Sequence, residues 1–309
     1  MKGVNLLEHN ISLLAVLGLM GMASSPCIAR GQNAAAPAAN WSAVEQMLGR
    51  KGAANPGGVE KFGFPRSDLS VRLDDVTIKP ALALGGWAAF KGSPNGQATV
   101  MGDLVLLENE VAPVMSALQA GGVEQTAVHN HLVREQPHVV YMHIHARGNA
   151  QSIARTIRDA LAQTKTPLTT SPSSTAAPPP ELDTVSISRA LRASGKWSGG
   201  VYQVSVPRRE KITDEGMEVP PSMGVATGIN FQPTGNGKAA ITGDFVLRSA
   251  EVNPVIRALR DNGIEVTALH THMLTERPKL FFMHFWANDE ATKLARGLAV
   301  ALDRTASKR

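Results

Sequence analysis

Two sets of histidines share one spacing along the chain. The sets are His129, His131 and His143, followed by His270, His272 and His284. Neutral imidazole is a good ligand for zinc, copper, iron and nickel, and three imidazoles leave one coordination position open for water or a substrate. Crowded histidines repel one another when protonated, so clustering without a ligand is unfavourable. We therefore predict that each set binds a divalent transition metal, zinc or copper.

A glutamate follows each His-x-His pair at the same distance. Glu135 lies four residues after His131, and Glu276 lies four residues after His272. A carboxylate beside a metal can bind it, orient an imidazole or act as general base on metal-bound water. Glu135 and Glu276 are therefore candidate catalytic bases, and a metal-dependent hydrolase is an alternative to simple metal binding.

A third hypothesis needs no metal. The histidines could act as acid/base groups, bind an organic small molecule, or be partly buried and hydrogen-bonded to the backbone. The chain would then be a ligand-binding or interaction module. The repetition of the pattern does not decide the matter, because a duplicated structural feature would persist in both copies.

Period-two patterns place the histidines on strands. Residues 123–131 and 138–145 alternate as strands do, and Glu135 lies in the turn between them. Side chains two residues apart share one face of a strand, and directly opposed residues on paired strands have Cβ atoms about 5 Å apart. We expect His129 to lie opposite His143, which predicts a histidine cluster on a β-hairpin.

Three pairs of charged residues recur at matched positions: Asp103 and Asp244, Glu110 and Glu251, and Arg66 and Arg208. The aspartates could support the metal ligands, but hydrogen bonding at a turn or strand edge is the favoured interpretation. The glutamates are expected to favour the N-termini of helices. The arginines could face an anionic substrate, although a surface salt bridge is the simpler expectation.

Two further histidines have no histidine counterpart. His145 aligns with Trp286, so a site common to both halves cannot require it, and a surface position is the simpler interpretation. His138 aligns with Lys279 and is expected to be solvated.

The histidine sets belong to an internal repeat. Met101-Gly-Asp-Leu-Val-Leu corresponds to Thr242-Gly-Asp-Phe-Val-Leu. We predict a domain over residues 40–165 and its copy over 183–305, joined by a Pro/Ser/Thr-rich linker at 166–182. Helical and strand periods are mixed, so each copy is expected to be α+β, with helices and a mostly antiparallel sheet. We expect the repeats to form an intramolecular pseudo-dimer, and the sequence leaves open whether they make separate sites or a shared one.

The N-terminal segment predicts export. Residues 11–23 form an apolar run shorter than the ~20 residues of a membrane span, and the small residues Cys27 and Ala29 follow it. We predict a signal peptide over residues 1–29 and a periplasmic or secreted protein with no membrane span in the mature chain. Pro26 makes a lipoprotein the less favoured alternative. Because Cys27 is the only cysteine, the mature chain offers no thiolate ligand or nucleophile.

Composition argues against other classes of protein. The chain of 309 residues has a net charge of +5 from scattered basic residues, without interleaved aromatic platforms, and we therefore expect no nucleic-acid partner. The sequence also lacks a phosphate-binding Gly-x-x-x-x-Gly-Lys loop and a Gly-x-Ser-x-Gly elbow. The expected partner is a metal or an unidentified small molecule.

The motifs resemble those of the LppY/LpqO family of exported bacterial proteins. The resemblance is carried by Val201-Tyr-Gln-Val-Ser-Val-Pro-Arg208, Thr267-Ala-Leu-His-Thr-His-Met273 and Leu280-Phe-Phe-Met-His-Phe-Trp-Ala287, with their counterparts in the first repeat. It covers nearly everything after residue 40. It implies export and a paired domain, and it implies no reaction, because that family is defined by a domain without an assigned activity. The segment Ser25-Pro26-Cys27 departs from the lipoprotein pattern of the family.

Overall fold

The computed structural model describes residues 41–92, 97–169 and 182–309. The predicted signal peptide at 1–29 and most of the predicted linker at 166–182 lie outside these described residues. The described ranges contain two repeats with the same order of elements, and both repeats belong to one compact unit. No helix within these ranges is both long and apolar enough to cross a lipid bilayer.

The first repeat is an antiparallel sheet of six strands with helices. Its elements are α1 (Ser42–Leu48), β1 (Ala53–Asn55), β2 (Val59–Pro65), β3 (Arg72–Leu73), β4 (Val76–Thr77), α2 (Pro80–Ala83), β5 (Gly85–Gly92), β6 (Ala98–Leu107), α3 (Glu108–Ala120), β7 (Glu124–His129), β8 (Val139–Gly148) and α4 (Ala150–Leu161). The strand order is β1-β2-β5-β6-β8-β7, and each neighbouring pair is antiparallel. Strands β3 and β4 form a separate short hairpin.

The second repeat has the same topology. Its elements are α5 (Thr184–Leu191), β9 (Gly195–Ser198), β10 (Val201–Pro207), β11 (Thr213–Asp214), β12 (Met217–Glu218), a 3-10 turn (Pro221–Met223), β13 (Ala226–Gly235), β14 (Lys238–Leu247), α6 (Ser249–Asp261), β15 (Glu265–His270), β16 (Phe281–Glu290) and α7 (Ala291–Leu302). The strand order β9-β10-β13-β14-β16-β15 repeats that of the first sheet. The predicted α+β class, with two tandem repeats of helices and a mostly antiparallel sheet, is confirmed.

One face of each sheet packs against the helices of its own repeat. In the first repeat, Phe62 and Phe90 of the sheet share a fully buried core with Ile157 of α4. In the second, Val204, Phe231 and Leu298 take the equivalent places. Burying each such side chain contributes roughly 1.5–3 kcal/mol, so these two cores stabilise the repeats.

The other face of each sheet is covered by a segment of the opposite repeat. Residues 66–84, called the first arm, pack on the second sheet, and residues 208–225, called the second arm, pack on the first sheet. The buried clusters combine Ile78 and Leu82 with Val201 and Trp286, and Val219 and Val225 with Val59 and Ala89. This exchange of arms holds the repeats together and brings the edge strands β7 and β15 into contact.

The arms are also fixed by hydrogen bonds. The side-chain amide of Gln232 accepts from the backbone N–H of Lys79 at 2.9 Å and donates to the carbonyl of Thr77 at 2.8 Å. On the other side, Nζ of Lys91 donates to the carbonyl of Glu218 at 2.7 Å. The relative position of the two repeats is therefore set by polar contacts as well as by apolar burial.

Candidate metal centre

Strands β7 and β8 carry two of the first three histidines, in a register different from the predicted one. His143 pairs with Ala127 and His129 pairs with Tyr141, two residues from the predicted partner, and the register shifts by one residue between Gln125 and Ala127. His131 lies beyond the end of the strand. The predicted opposition of His129 and His143 is therefore wrong, although their ring centroids are 5.1 Å apart. A cluster carried by the hairpin alone is not confirmed.

The two histidine sets meet at the boundary between the repeats. Three pairs of rings stack across it, each with one ring from each repeat. The centroid distances are 3.6 Å for His129 and His270, 3.7 Å for His131 and His284, and 3.8 Å for His143 and His272. Repeat symmetry exchanges the second and third pairs, so a pseudo-twofold axis passes between the rings of the first. The structure thus places all six in one shared cluster, called the six-histidine centre below.

Nitrogen atoms of the centre lie close enough together to share an ion. In three groups of histidines, one ligand atom from each residue lies within 4.8 Å of the others: His129, His143 and His270; His129, His131 and His284; and His270, His272 and His284. Two of these groups combine both repeats. The set predicted in the second repeat is one of the groups, whereas the members of the first set are grouped with histidines of the second repeat.

Backbone oxygens orient four of the six rings. The hydrogen-bonded pairs are His129 with Asn130 at 3.0 Å, His284 with Gly243 at 2.7 Å, His143 with Gly102, and His272 with Gly224. In each ring Nδ1 makes this bond, because Nε2 has no hydrogen-bond partner. Donation from Nδ1–H leaves the lone pair on Nε2, which is the form of imidazole that binds metals.

The Nε2 atoms of all six histidines are buried without a hydrogen-bond partner. A buried polar atom left in this way costs about 1–3 kcal/mol. A purely structural role does not account for six such acceptors in one cluster. A metal ion would satisfy several of them together, and the donor set, nitrogen with nearby carboxylate oxygen, suits zinc or copper.

Two aspartates border the centre. Oδ2 of Asp103 lies 3.6 Å from Nε2 of His131, and Oδ2 of Asp244 lies 3.2 Å from Nε2 of His272. The other oxygen of each aspartate faces the third histidine of its own repeat, at 3.9 Å and 4.0 Å. Both aspartates lie within strands, β6 and β14, so the favoured interpretation as turn or strand-edge residues missed their position. Their repeated Gly-Asp motif was the signal that could have drawn attention to them.

The carboxylate oxygens and the Nε2 lone pairs are both hydrogen-bond acceptors. They repel at these distances unless a proton or a cation lies between them. Burial raises the pKa of Asp244 to about 6 and holds the pKa of Asp103 well above its usual range, where repulsion from Asp244 adds to the effect. A bound cation would reverse this by favouring the carboxylate forms.

Burial keeps the imidazoles neutral. Desolvation lowers the pKa of His129 and of His284 to about 4. The pKa values of the other four histidines of the centre are also lowered, first by desolvation and then by repulsion from neighbouring histidines. At neutral pH the rings are therefore uncharged, as ligands must be, and protons compete weakly with a metal.

Aromatic rings flank two of the histidines. His131 stacks on Tyr141 at a centroid distance of 3.3 Å, and His272 stacks on Phe282 at 3.4 Å. The Tyr141 hydroxyl donates to the carbonyl of Ala83 in the first arm at 2.8 Å. These flat, buried neighbours restrict the rotation of both imidazoles.

The two glutamates predicted as general bases bind the turn backbone. Oε1 of Glu135 accepts from the N–H of Val139 at 3.3 Å, and Oε1 of Glu276 accepts from the N–H of Leu280 at 2.9 Å. Neither glutamate belongs to a histidine group that could hold an ion among the described residues. Their hydrogen bonds stabilise the turns that precede β8 and β16. The carboxylates next to the Nε2 atoms are those of Asp103 and Asp244.

The two histidines without a histidine counterpart have different environments. The side chain of His138 is 39% exposed, as expected for a solvated residue, and it contacts Glu135. His145 is only 8% exposed, and its ring faces Glu124 at 3.6 Å and Asp214 at 3.8 Å. The predicted surface position of His145 is wrong because the second arm covers this part of the first sheet.

Arg66 and Arg208 are buried structural residues. The guanidinium of Arg66 donates to Glu110 at 2.6 Å and 3.1 Å, and that of Arg208 donates to Glu251 at 2.7 Å and 3.0 Å. Both glutamates also accept a backbone N–H at the start of α3 or α6, so their predicted role at helix N-termini is confirmed. Neither arginine forms a surface salt bridge, and neither belongs to the six-histidine centre.

A family model described as a domain of unknown function, DUF1259, matches residues 42–163 and again residues 185–304. No curated protein is significantly similar to the chain. Among solved structures, the trimeric bacterial microcompartment shell protein PduB is 13% identical, with 82% of this chain and 90% of that chain covered and a TM-score of 0.19. EtuB from Clostridium kluyveri is 9% identical, with 81% and 90% covered and a TM-score of 0.19. Likenesses at these TM-scores carry no inference about fold or function.

Proposed function

Because the chain belongs to the DUF1259 family, which is defined by a domain of unknown function, we propose a function from the residues of this chain. The protein binds a divalent transition metal, zinc or copper, at the six-histidine centre shared by its two repeats. The observation that carries this proposal is the convergence of six buried, unpartnered Nε2 atoms on one boundary. Asp103 and Asp244 supply negative charge beside them.

The proposal includes export. The N-terminal segment predicts a signal peptide over residues 1–29, and the resemblance to the LppY/LpqO family supports a periplasmic or secreted protein. In such a compartment a cysteine-free mature chain would bind its metal through histidine, which is not lost to disulfide formation. Secretion of the full chain, with N-terminal sequencing of the exported form, tests this part.

Metal binding is favoured over the hydrolase hypothesis. A hydrolase of the predicted kind needs the carboxylate of Glu135 or Glu276 next to metal-bound water. Both carboxylates instead accept backbone N–H groups of their own turns. We therefore propose binding, and assign no reaction to the centre.

Elemental analysis of the protein, purified without an affinity tag or added chelator, is the decisive experiment. We expect a bound transition metal, or tight uptake of zinc or copper on titration. The double variant His129→Ala/His270→Ala should lose the metal, because the pseudo-twofold axis passes between these two rings at the middle of the centre. The variant His138→Ala is the matched control, since this histidine lies outside the centre and should leave metal content unchanged.

Two results would contradict the proposal. One is a wild-type protein that contains no transition metal and takes up neither zinc nor copper. The other is full metal content in the double variant. The first result would favour the hypothesis of a metal-free ligand-binding module, and the second would place the metal outside the six-histidine centre.

A further inference from the structure

A small cavity adjoins the six-histidine centre on one side of the pseudo-twofold axis. The residues that line it are Trp87, Met101, Gly102, His143, Ile144, His145, Met223, Gly224, His272 and Met273. The space open to the centre of a water-sized molecule is about 10 Å³, which is room for about one such molecule or ion. The cavity thus brings two imidazoles of the centre together with three thioethers.

The three methionines are deeply buried and come from both repeats. Met101 is 5% exposed, Met223 is 2% exposed and Met273 is 4% exposed. Met101 lies on β6, Met223 lies in the second arm, and Met273 directly follows His272. Only the exchange of arms places these side chains beside one another.

The second side of the molecule provides an internal comparison. The residues that correspond to Met101, Met223 and Met273 are Thr242, Leu82 and Leu132. Leu82 and Leu132 belong to the matching buried cluster, and Thr242 is buried too. Leucine at two positions and threonine at the third fill the equivalent space, so packing alone does not require sulfur there.

The donor atoms that line the cavity are thioether sulfur and imidazole nitrogen. Thioether sulfur and imidazole nitrogen favour monovalent copper, whereas none of the described residues that line the cavity is Asp or Glu, the ligands that magnesium, calcium and manganese prefer. The Nε2 atoms of His143 and His272 have no hydrogen-bond partner and are available to such an ion.

We propose that this cavity is a copper(I) site formed by Met101, Met223 and Met273 together with His143 and His272. The inference rests on the proposed metal-binding function, since the two histidines belong to the six-histidine centre. The inference adds that the ion bound on this side is copper(I), and that the thioethers make the site selective for copper(I) over zinc.

The test compares copper(I) and zinc binding in matched variants of the full chain. Copper(I) affinity is measured without oxygen by competition with bathocuproine disulfonate, and zinc affinity by competition with a fluorescent chelator. The triple variant Met101→Leu/Met223→Leu/Met273→Leu should bind copper(I) at least about tenfold more weakly, with zinc affinity changed less than about twofold. The control is Met142→Leu/Met283→Leu, which replaces two fully buried methionines of the helix-side cores and should change neither affinity.

X-ray absorption of the copper(I)-loaded wild-type protein gives a second measurement that does not depend on the folding of a variant. Sulfur scatterers in the first coordination shell would support the site. Copper(I) bound through nitrogen alone, or unchanged copper(I) affinity in a folded triple variant, would overturn it. Zinc binding without copper(I) binding would overturn this inference and leave the proposed function standing, whereas a wild-type protein that binds neither metal would overturn both.

Discussion

The hydroxyl of Thr126 in the first repeat donates a hydrogen bond of 2.6 Å to the main-chain carbonyl of His272 in the second. The reciprocal bond joins Thr267 to the carbonyl of His131 at 2.5 Å. Each repeat therefore holds the loop that carries a metal-ligand candidate of the other. This relationship explains how two histidines outside the regular strands keep fixed positions at the repeat boundary.

Replacing Thr126 and Thr267 with valine should weaken metal binding without removing a ligand. Each lost hydrogen bond should lower the free energy of unfolding by about 1 kcal/mol, and freer loops should lower metal affinity by about tenfold or more. Titration of metal into the double variant measures the effect. Thr156→Val, which removes a hydroxyl bond within α4, is the control and should leave affinity unchanged. Wild-type affinity in the double variant would show that these bonds do not position the ligands.

Asp103→Asn and Asp244→Asn should each lower metal affinity without lowering the stability of the metal-free protein. An amide can donate a hydrogen bond to the Nε2 lone pair that the carboxylate oxygen faces, so the chelator-treated variants should be at least as stable as the wild type. Metal affinity should fall because negative charge beside the ion is lost. Urea unfolding and metal titration of each variant give the two measurements. Lower stability combined with unchanged affinity would contradict a role at the centre.

The metal-free protein should lose stability as the pH falls below about 6.5. The unfolded chain takes up protons on histidine near that pH, whereas burial lowers the pKa of His129 and His284 to about 4 in the folded state. Between these values each such histidine removes about 1.4 kcal/mol of stability per pH unit. Below about pH 6 the raised pKa of Asp244 has the opposite effect, because protonation of this carboxyl then favours the folded state. The histidines with lowered pKa values outnumber the aspartates with raised pKa values, so the net effect is a loss of stability.

Urea unfolding across this pH range, with chelator present, measures the slope. His284→Leu should flatten it, because one buried imidazole is removed, and the exposed control His138→Ala should leave it unchanged. A free energy of unfolding that stays constant from pH 6.5 to pH 4 would contradict burial of neutral histidines.

Arg66→Ala should lower the free energy of unfolding by about 3–5 kcal/mol, because it leaves the buried carboxylate of Glu110 without its partner. Arg134→Ala is the matched control. Arg134 forms a bidentate pair with Glu265 at 2.9 Å, but both side chains are substantially exposed, so its loss should cost less than about 1 kcal/mol. Chemical denaturation of the two variants makes the comparison. Equal effects would argue against a structural role for the buried pair.

Much of the architecture follows from local pattern. The repeat is visible because two segments share a run of residues, and short runs rich in β-branched and aromatic residues identify the strands that carry His143 and His284. The residue types of the centre are likewise readable as metal ligands. These features depend on neighbours along the chain, which is the information that a sequence presents directly.

The tertiary structure decided how those parts combine. Periodicity reports which face a side chain occupies but not what packs on that face, so it could not show that the arms cross between repeats or that His129 stacks on His270. His129 pairs with Tyr141, two residues from its predicted partner, because the register depends on how the turn closes, which the period of the strands does not report. The single shared centre, its bordering aspartates and the methionine-lined cavity all come from contacts between residues far apart in sequence, and only folding of both repeats together creates them.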